Sequence, residues 1–326
     1  MRLLVTGGAG FIGSNFIRYW LANHPNDQIV NLDVLTYAGN LENLRDLEND
    51  PRYTFMRGDI CDPATVTRAM EGVDTVVHFA AESHVDRSIE NSQAFLRTNV
   101  MGTHTLLEEA RRLGGQIKRF HHVSTDEVFG ALSLEDPNRF TEHTPYAPRS
   151  PYSASKAASD HLVRSYFYTY GLPITVSNCS NNYGPYHFPE KFIPLMIVNA
   201  IDNKPLPIYG DGLYVRDWIH VEDHVRGIEA ILMKGRIGET YCLGGNAEPA
   251  NIDVAKKILD LLGKPHTLLT YVEDRKGHDR RYSINDQKAR TELGWVPQRD
   301  FDQGLKQTVD WFVSREDWWR PLLTKG

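Results

Sequence analysis

Cysteine is scarce in this sequence. Only Cys61, Cys179 and Cys242 occur among the 326 residues. An odd number of cysteines at wide spacing forms neither a disulfide framework nor a metal cluster, so we expect no metal site and a cytoplasmic protein. Because free cysteine is one of the most frequently buried residue types, each of the three is expected to be a small buried side chain.

Long apolar runs and an excess of positive charge are also missing. No stretch of about 18 apolar residues is present, so no transmembrane helix is predicted. The chain enters a strand pattern at once, so no signal peptide is expected. The formal net charge is −6, which argues against nucleic acid and anionic membranes as partners. Any phosphate of a small ligand would therefore be bound by local Arg and Lys side chains.

The most informative segment that is present is Leu3–Gly13, where a short apolar run passes through a glycine-rich turn into a helical pattern. Gly7 permits the tight turn, Gly10 lets the backbone approach a pyrophosphate, and Gly13 lets helix and strand pack closely. An ordinary glycine turn is the alternative. Asp33 ends the next apolar run, where a carboxylate accepts hydrogen bonds from the adenosine ribose and repels a 2′-phosphate. This arrangement predicts NAD rather than NADP as the cofactor.

Strand and helix patterns alternate through the first half of the chain. Strands are predicted at 29–32, 53–60, 73–81, 118–125 and 174–177, and helices at 13–22, 91–113 and 152–170. This order predicts an α/β fold with a Rossmann-type, doubly wound parallel sheet. Ligands bind beyond the carboxyl ends of such strands. There, Asp59 and Ile60 suit an adenine ring, and the small side chains of Ala80 and Ala81 let the cofactor come close.

Beyond residue 174 several prolines interrupt the pattern, which predicts a smaller, mostly C-terminal domain. Helices are predicted at 192–201, 221–233 and 301–311, and the tryptophans near the C-terminus are expected in the core or at an interface. Asn181 and Asn182 follow the strand at 174–177 and should face the site. Asn251 begins a further helix and could either bind phosphate or cap that helix.

Two short stretches carry candidate chemistry. Tyr152 and Lys156 are four residues apart at the start of a helix, so they share one face. A nearby ammonium and an oxidised nicotinamide would both favour the phenolate of Tyr152, which could then take a proton from a sugar hydroxyl. Asp126 and Glu127 end the preceding strand. Two adjacent acids exceed what alcohol oxidation needs but fit the elimination of water, in which one acid gives a proton and one carboxylate takes one. The alternative is that they cap the turn that follows.

Together these motifs resemble the extended short-chain dehydrogenase/reductase family and, within it, the enzymes that dehydrate nucleotide sugars. The matching stretches are Gly7–Gly13, Asp33–Thr36, Ala80–Asp86, Thr125–Glu127, Tyr152–Lys156, Asn178–Pro185, Phe188–Lys191 and Asp274–His278. The combination of Thr125–Glu127 with Pro189–Lys191 distinguishes this group from the 4-epimerases. Two positions depart from the pattern: Lys276 stands where relatives commonly carry proline, and Phe129 where they commonly carry tyrosine.

The resemblance implies a reaction on dTDP-glucose with tightly held NAD. Tyr152 would deprotonate the C4 hydroxyl with help from Thr125, Glu127 would remove the C5 proton, and Asp126 would protonate the departing C6 hydroxyl. Lys156 would assist Tyr152 and bind the nicotinamide ribose. The product would be the 4-keto-6-deoxy sugar with no net redox change. Alternatives are a dehydratase or 4-epimerase for a UDP- or GDP-sugar, and an NAD-binding regulator without activity.

The resemblance also implies two sets of binding residues. The cofactor set is Gly7, Gly10, Phe11, Ile12, Gly13, Asp33, Val34, Leu35, Thr36, Asp59, Ile60, Phe79, Ala80, Ala81, Ser83, Thr98, Tyr152, Lys156 and Asn182. The substrate set is Ser83, His84, Thr125, Asn181, Glu190, Lys191, Pro207, Ile208, Tyr209, Arg216, Asn251, Asp274, Arg275 and His278. Residues 1–178 are expected to form the NAD-binding domain, to which a helix near 214–236 returns. Residues 179–326 are expected to form mainly the nucleotide-sugar-binding domain. The helices at 91–113 and 152–170 would pair with a second copy to give a homodimer.

Overall fold

A computed structural model of the chain describes residues 1–324. In this range the strands are β1 (Arg2–Thr6), β2 (Gln28–Asp33), β3 (Tyr53–Arg57), β4 (Thr75–His78), β5 (Arg119–Thr125), β6 (Ile174–Cys179), β7 (Asn181–Tyr183), β8 (Leu206–Tyr209), β9 (Trp218–His220), β10 (Thr240–Leu243) and β11 (Leu269–Val272). The α-helices are α1 (Phe11–Asn23), α2 (Pro63–Ala69), α3 (Val85–Glu90), α4 (Ser92–Phe95), α5 (Thr103–Leu113), α6 (Pro151–Tyr170), α7 (Phe192–Ile201), α8 (Val221–Lys234), α9 (Asn251–Leu261), α10 (Phe301–Ser314) and α11 (Glu316–Trp319). Short 3₁₀ or π segments lie at 41–47, 96–102, 114–116, 126–129, 266–268, 289–293 and 320–324.

The main sheet contains, within the described range, seven strands in the order β10–β6–β5–β4–β1–β2–β3. Every neighbouring pair runs parallel; Leu4, for example, lies between Val30 on β2 and Val76 on β4. The order of the strands reverses beside β1, and this reversal opens a crevice at their carboxyl ends. The predicted doubly wound, Rossmann-type parallel sheet is confirmed.

Helices cover both faces of this sheet. Leu3, Leu4 and Val5 on β1 are fully buried, as expected for a strand that is covered on two sides. On one face, α1 and α8 pack through an apolar cluster that includes Phe16 and Ile228. On the other face, α2, α5 and α6 form a second cluster. Strand β10 and helix α8 therefore join this layered unit although they come late in the sequence.

A second apolar core lies towards the C-terminus. It gathers side chains of α7, α9, α10 and α11 and includes Phe312, Trp318 and Trp319, with Trp311 partly buried against it. The two-stranded pairs β7–β9 and β8–β11 lie beside these helices. The expectation that the C-terminal tryptophans serve packing is therefore confirmed.

The helix predicted over 91–113 is present over residues 92–113, but it is not α-helical throughout. The segment contains α4, a π-helical stretch at 96–102 and then α5. Inside the π stretch, Asn99 is buried and bonds Glu82 N, Glu82 O and Ser155 Oγ at 2.8–3.0 Å. A widened turn can orient a side chain in this way, and the apolar periodicity of the sequence carries no signal for it. Helix α1 begins two residues earlier than predicted, and α10 continues to Ser314.

Among residues 1–324, no helix is both long enough and apolar enough to span a bilayer. No group of three His, Cys, Asp or Glu side chains in this range is arranged to hold a metal ion. The three cysteines are unpaired; Cys179 and Cys242 are buried, but Cys61 is only partly buried, so the expectation of burial is wrong for that residue.

Candidate active site

The glycine-rich turn joins β1 to α1 at the mouth of the crevice. Gly7 has φ +70°, and a Cβ atom there would lie 2.7 Å from the backbone N and Cα of Ala80. A Cβ atom on Gly13 would lie 2.4 Å from Gly7 O, whereas one on Gly10 would lie 3.3 Å from the same oxygen. No side chain caps the N-terminus of α1. Its free N–H groups and its dipole therefore suit an anionic group such as a pyrophosphate.

Asp33 ends β2 and is almost completely buried. Its Oδ2 accepts a hydrogen bond from Ala9 N at 3.0 Å, and its Oδ1 accepts one from Leu35 N at 2.8 Å. Burial raises the pKa of Asp33, and these two backbone donors oppose the rise. The carboxylate keeps lone pairs free for ribose hydroxyls, while its charge disfavours a 2′-phosphate.

A cavity of about 580 Å³ opens from this turn along the carboxyl ends of the strands. From the predicted cofactor set it is lined by Gly7, Gly10, Phe11, Ile12, Gly13, Asp33, Val34, Thr36, Asp59, Ile60, Phe79, Ala80, Ala81, Ser83, Thr98, Tyr152, Lys156 and Asn182. From the catalytic and substrate sets it is lined by His84, Thr125, Glu127, Asn181, Glu190, Lys191, Pro207, Tyr209, Arg216, Asn251, Arg275 and His278. The structure thus brings nearly all the predicted residues to one cavity.

Four predicted residues do not line the cavity. Asp126 is buried behind its wall, and Ile208 belongs to the C-terminal core. Leu35 has a left-handed backbone (φ +57°) and contributes its N–H to Asp33. Asp274 accepts hydrogen bonds from Tyr214, from Arg275 N and, at 2.8 Å, from His278 Nδ1, so it holds the loop that presents His278.

Helix α6 presents Tyr152 and Lys156 one turn apart. Ser150 caps the helix in a reciprocal box with Ser153, which fixes its first turn. Lys156 Nζ donates a hydrogen bond to Val123 O at 2.8 Å. Burial raises the pKa of Tyr152 well above 10, the charge of Glu127 adds to this rise, and a hydrogen bond from Thr125 opposes it. Tyr152 therefore needs a positive neighbour if it is to act as a base.

The two acids lie in different surroundings. Thr125 Oγ1 accepts a hydrogen bond from Glu127 N at 3.3 Å and caps the 3₁₀ turn at 126–129, so neither acid serves as the cap. Burial raises the pKa of Asp126 well above 3.8, and the charges of Glu127 and Asp217 add to the rise. Burial also raises the pKa of Glu127, but Arg275, Arg216 and Lys191 oppose it. Neighbouring negative charges thus raise the pKa of Asp126 further, whereas three basic side chains oppose the rise at Glu127, and such a difference in surroundings is what separates the roles of an acid and a base.

The far end of the cavity carries basic and aromatic groups. Arg216 is almost completely buried and lies over the ring of Tyr282 at 4.3 Å. The His278 ring stacks on Tyr214 at 3.6 Å. In the part of the chain that the structure describes, the buried atoms Arg275 Nε and Asn251 Oδ1 have no hydrogen-bond partner. Ala250 rather than Asn251 holds the N-cap position of α9, so the phosphate-binding alternative is favoured for Asn251. Arg275 Nε is an unpartnered donor and suits a diphosphate, whereas Asn251 Oδ1 is an acceptor, so Asn251 would contact phosphate through its amide NH₂ group.

Several wall residues were not predicted. His187 stacks on Phe11 at 4.2 Å, and Phe188, Leu195 and Met196 line the same wall. Tyr37 lies beneath the Arg87 guanidinium at 3.8 Å. Apolar and aromatic residues of this kind carry no chemical signature in a sequence. Position within the stretches 33–40 and 185–191 could have indicated Tyr37, His187 and Phe188, whereas Leu195 and Met196 lie on α7, outside both stretches.

The two departures from the family pattern lie away from the reacting groups. Phe129 is buried between Phe140 and Tyr146, with ring centroids 5.2 and 5.3 Å away. A phenyl ring fills this apolar space and needs no hydrogen-bond partner. Lys276 is exposed and does not line the cavity.

Comparison with known proteins agrees with this geometry. A family model described as GDP-mannose 4,6 dehydratase matches residues 4–308. The dTDP-glucose 4,6-dehydratase of Neisseria meningitidis serogroup B is 53% identical over 99% of this chain and 96% of its own length. The crystal structure of dTDP-glucose 4,6-dehydratase from Bacillus anthracis in complex with NAD has a TM-score of 0.92 and 49% identity, and 99% of each chain is covered. The corresponding enzyme of Streptomyces venezuelae, crystallised with NAD and a second ligand, has a TM-score of 0.95 and 50% identity, with 99% of this chain and 100% of that chain covered.

The fold, the glycine turn and the acid pair define a member of the nucleotide-sugar dehydratases within the extended short-chain dehydrogenase/reductase class. More narrowly, the identities over nearly the whole length show that this chain belongs to the dTDP-glucose 4,6-dehydratase family.

Proposed function

We propose that this protein is a hydro-lyase that converts dTDP-glucose to dTDP-4-keto-6-deoxy-glucose and water with the help of NAD. The observation that carries the proposal is the shared cavity: Thr125, Glu127 and Tyr152 line it between the glycine turn and the basic end. NAD fits the first half of the cavity, because the turn excludes any Cβ at Gly7 and Gly13 and Asp33 is held ready by two backbone donors. Bound NAD supplies the acceptor for a hydride from C4 of the sugar and the donor of that hydride to C6.

Tyr152 starts the reaction as a base. It takes the proton of the C4 hydroxyl as C4 becomes a carbonyl, and Thr125 holds the C4 oxygen. Lys156, one turn further along α6, would favour the phenolate through its ammonium group. Oxidation at C4 comes before elimination, because the C5 proton becomes acidic only beside a carbonyl group.

Glu127 and Asp126 then divide the elimination between them. The new C4 carbonyl acidifies the proton on C5, which Glu127 removes, and the C6–O bond breaks as Asp126 gives its proton to the leaving hydroxyl. Asp126 does not line the cavity, but its buried Oδ2 has no hydrogen-bond partner among the described residues, so this role requires its carboxyl group to turn towards the cavity when the substrate binds. Glu127 finally returns a proton to C5. One water is released and the redox balance is zero.

The nucleotide end of the substrate is assigned to the far end of the cavity. Arg216, Arg275 and Asn251 would hold the diphosphate, and Pro207 with Tyr209 offers a flat surface to the base. The test is a panel of dTDP-, UDP- and GDP-glucose with product analysis by proton NMR. We expect the 6-deoxy methyl signal with dTDP-glucose only. Preferred turnover of the UDP- or GDP-sugar, or epimerisation at C4, would overturn the assignment.

We also propose that residues 1–178 form the cofactor domain and residues 179–326 mainly the sugar-nucleotide domain, with the helix near 214–236 returning to the first. This division is supported by the packing of α8 on α1 through Val225, Ile228 and Phe16. It is further supported by the residues Arg216, Asn251 and Arg275 at the far end of the cavity. Isothermal titration calorimetry of an Arg216→Met variant tests this division. Titration with NAD should give an unchanged cofactor affinity, whereas titration with dTDP should give a lower affinity.

The protein is further proposed to work as a homodimer in the cytoplasm. Asn99 Nδ2 bonds Ser155 Oγ at 2.8 Å, and Tyr166 bonds Glu108, so the helical segments 92–113 and 151–170 form one layer. This layer leaves Leu96, Met101 and Tyr168 exposed. Light scattering should give a dimer mass, and Met101→Glu should give a monomer mass. A cytoplasmic location is supported by the unpaired cysteines, because thiols stay reduced there, and cell fractionation tests it.

A further inference from the structure

A buried carboxylate lies directly behind the catalytic lysine. Asp160 follows Lys156 by one turn of α6 and is fully buried. Its Oδ2 accepts hydrogen bonds from Ser124 Oγ and from the Tyr146 hydroxyl, both at 2.8 Å. Its Oδ1 lies 3.1 Å from His122 Nε2, and the same nitrogen lies 3.4 Å from Lys156 Nζ. The imidazole of His122 thus stands between the ammonium and the carboxylate, and of these groups Lys156 and Ser124 line the cavity.

The titratable groups that face this pair come from every element packed around it. They are His78 on β4, His122 on β5, Tyr146 in the loop before α6, Tyr152 and Arg164 on α6, and Cys179 on β6. Burial lowers the pKa of His122 to about 4 and that of His78 below 6.5, and it raises the pKa of Cys179 to about 12. It also raises the pKa of Tyr146 and Tyr152 above 10. The two histidines, the two tyrosines and Cys179 are therefore neutral at neutral pH.

Three formal charges remain in the cluster. Arg164 bonds the Tyr146 hydroxyl at 2.9 Å and Thr240 Oγ1 at 3.2 Å, so it reaches Asp160 only through Tyr146. Lys156 has a carbonyl oxygen and a neutral imidazole as its near neighbours. Asp160 is thus the negative charge of the cluster that can balance Lys156. An ammonium buried without a partner loses its proton, because desolvation disfavours the charged form.

We propose that Asp160 is a positioning residue that acts through Lys156: its carboxylate, with His122 between them, keeps the Lys156 ammonium charged and in place beside Tyr152. The inference rests on the proposed function, because the charge of Lys156 matters to the reaction only if Tyr152 is its base. Ser124 and Tyr146 hold the carboxylate in one orientation. Loss of the negative charge should therefore change the ionisation of Tyr152 through His122 and Lys156, without any change in the residues that line the cavity.

The first test is Asp160→Asn, which keeps the shape and removes the charge. In this variant the acid limb of the pH profile of kcat/KM should move to higher pH, and activity at neutral pH should fall about tenfold for each pH unit of displacement. Ultraviolet difference titration, with Tyr152→Phe as the blank, should show the Tyr152 phenolate forming at correspondingly higher pH. Tyr146→Phe is the matched control, because it removes one hydrogen bond to Asp160 and leaves the charge; its acid limb should stay in place. A lower rate for Asp160→Asn with both titrations unmoved would mean that Asp160 only supports the fold.

The second test does not depend on turnover and covers a variant that folds poorly. Urea unfolding of Asp160→Asn, Lys156→Met and the double variant forms a thermodynamic cycle. If Asp160 balances Lys156, each single change leaves an unbalanced buried charge, and the double variant should be more stable than the sum of the single effects predicts. Additive effects, or failure of Asp160→Asn to fold in both backgrounds, would overturn the inference. If the protein proves to act on another substrate, the thermodynamic cycle and the ultraviolet titration of Tyr152 still test whether Asp160 balances the charge of Lys156.

Discussion

Lys191 Nζ donates a hydrogen bond of 2.9 Å to the backbone carbonyl oxygen of Ser83. This single contact joins the loop after β4 to the loop before α7 across the cavity. Arg87 on α3 forms an ion pair of 3.3 Å with Glu190 in the loop before α7, and the Arg87 guanidinium also covers the ring of Tyr37. Three cavity-lining segments that are far apart in the sequence are thus held together. We expect these contacts to retain the cofactor.

The first prediction concerns Arg87. Replacing it by alanine removes both the ion pair with Glu190 and the cation–π contact with Tyr37, each of which contributes up to about 1 kcal/mol at a partly exposed site. NAD should then dissociate roughly 5- to 30-fold faster, the equivalent of about 1 to 2 kcal/mol. Dissociation is measured by competition with an excess of a fluorescent NAD analogue. Arg45→Ala, which breaks the exposed pair with Glu42, is the control and should release NAD at the unaltered rate. Equal rates for Arg87→Ala and the unaltered chain would contradict the retention role.

The second prediction concerns the glycine turn. Gly13→Ala places a Cβ atom 2.4 Å from Gly7 O, so α1 must shift away from β1. We expect a loss of about 1 to 3 kcal/mol in the free energy of unfolding by urea, together with weaker NAD binding in calorimetry. Gly115→Ala is the control, since its Cβ meets no atom within 4 Å and its backbone is not left-handed. Equal stability and NAD affinity in the two variants would show that close packing at Gly13 is not required.

The third prediction concerns acid stability. Burial lowers the pKa of His224 from 6.5 to about 3, and its Nδ1 lies 2.9 Å from Asn182 Oδ1. Below about pH 6.5 the unfolded chain binds a proton that the folded ring does not, so the stability contributed by His224 is present above that pH and is lost as the pH falls towards 3. Between pH 7 and pH 5, His224→Gln should therefore lose about 2 kcal/mol less unfolding free energy than the unaltered chain.

Urea titrations at the two pH values measure this difference. The exposed His266, which is paired with Asp260 at the surface, provides the control variant His266→Gln. It should lose the same free energy on acidification as the unaltered chain. If the loss of unfolding free energy between pH 7 and pH 5 is identical in all three proteins, His224 takes up a proton as readily in the folded state as in the unfolded state.

Much of the fold and part of the site followed from local chemistry in the sequence. Gly7, Gly13 and Asp33 act through backbone geometry and hydrogen bonds within one strand–turn–helix unit, so their spacing is visible in the chain. Tyr152 and Lys156 are related by helical periodicity alone. These features depend on neighbours in sequence, which is why a pattern can predict them.

The remaining features depend on neighbours in space. Strand β10 is only four residues long, and nothing in its sequence shows that it extends the sheet beside β6. Asn99 lies in the π-helical stretch and its amide bonds both Glu82 and Ser155, and no periodicity encodes these contacts. In the sequence, Asp160 is an ordinary polar residue of an amphipathic helix, and only the structure shows that His122 and Ser124 pack against it. The roles of Asp126 and Glu127 were predicted from the family resemblance, whereas the difference in their surroundings is visible only in the structure.

The central claim, that Glu127 removes the C5 proton after C4 has been oxidised, is tested most directly by Glu127→Gln in a single turnover. The variant keeps the shape of the side chain and removes the base, so reduced cofactor should accumulate after addition of dTDP-glucose. Formation of the 4-keto-6-deoxy product should fall by roughly 10²- to 10⁴-fold, while Tyr152→Phe should block both signals. Product formation at the unaltered rate, or loss of cofactor reduction together with elimination, would contradict the account.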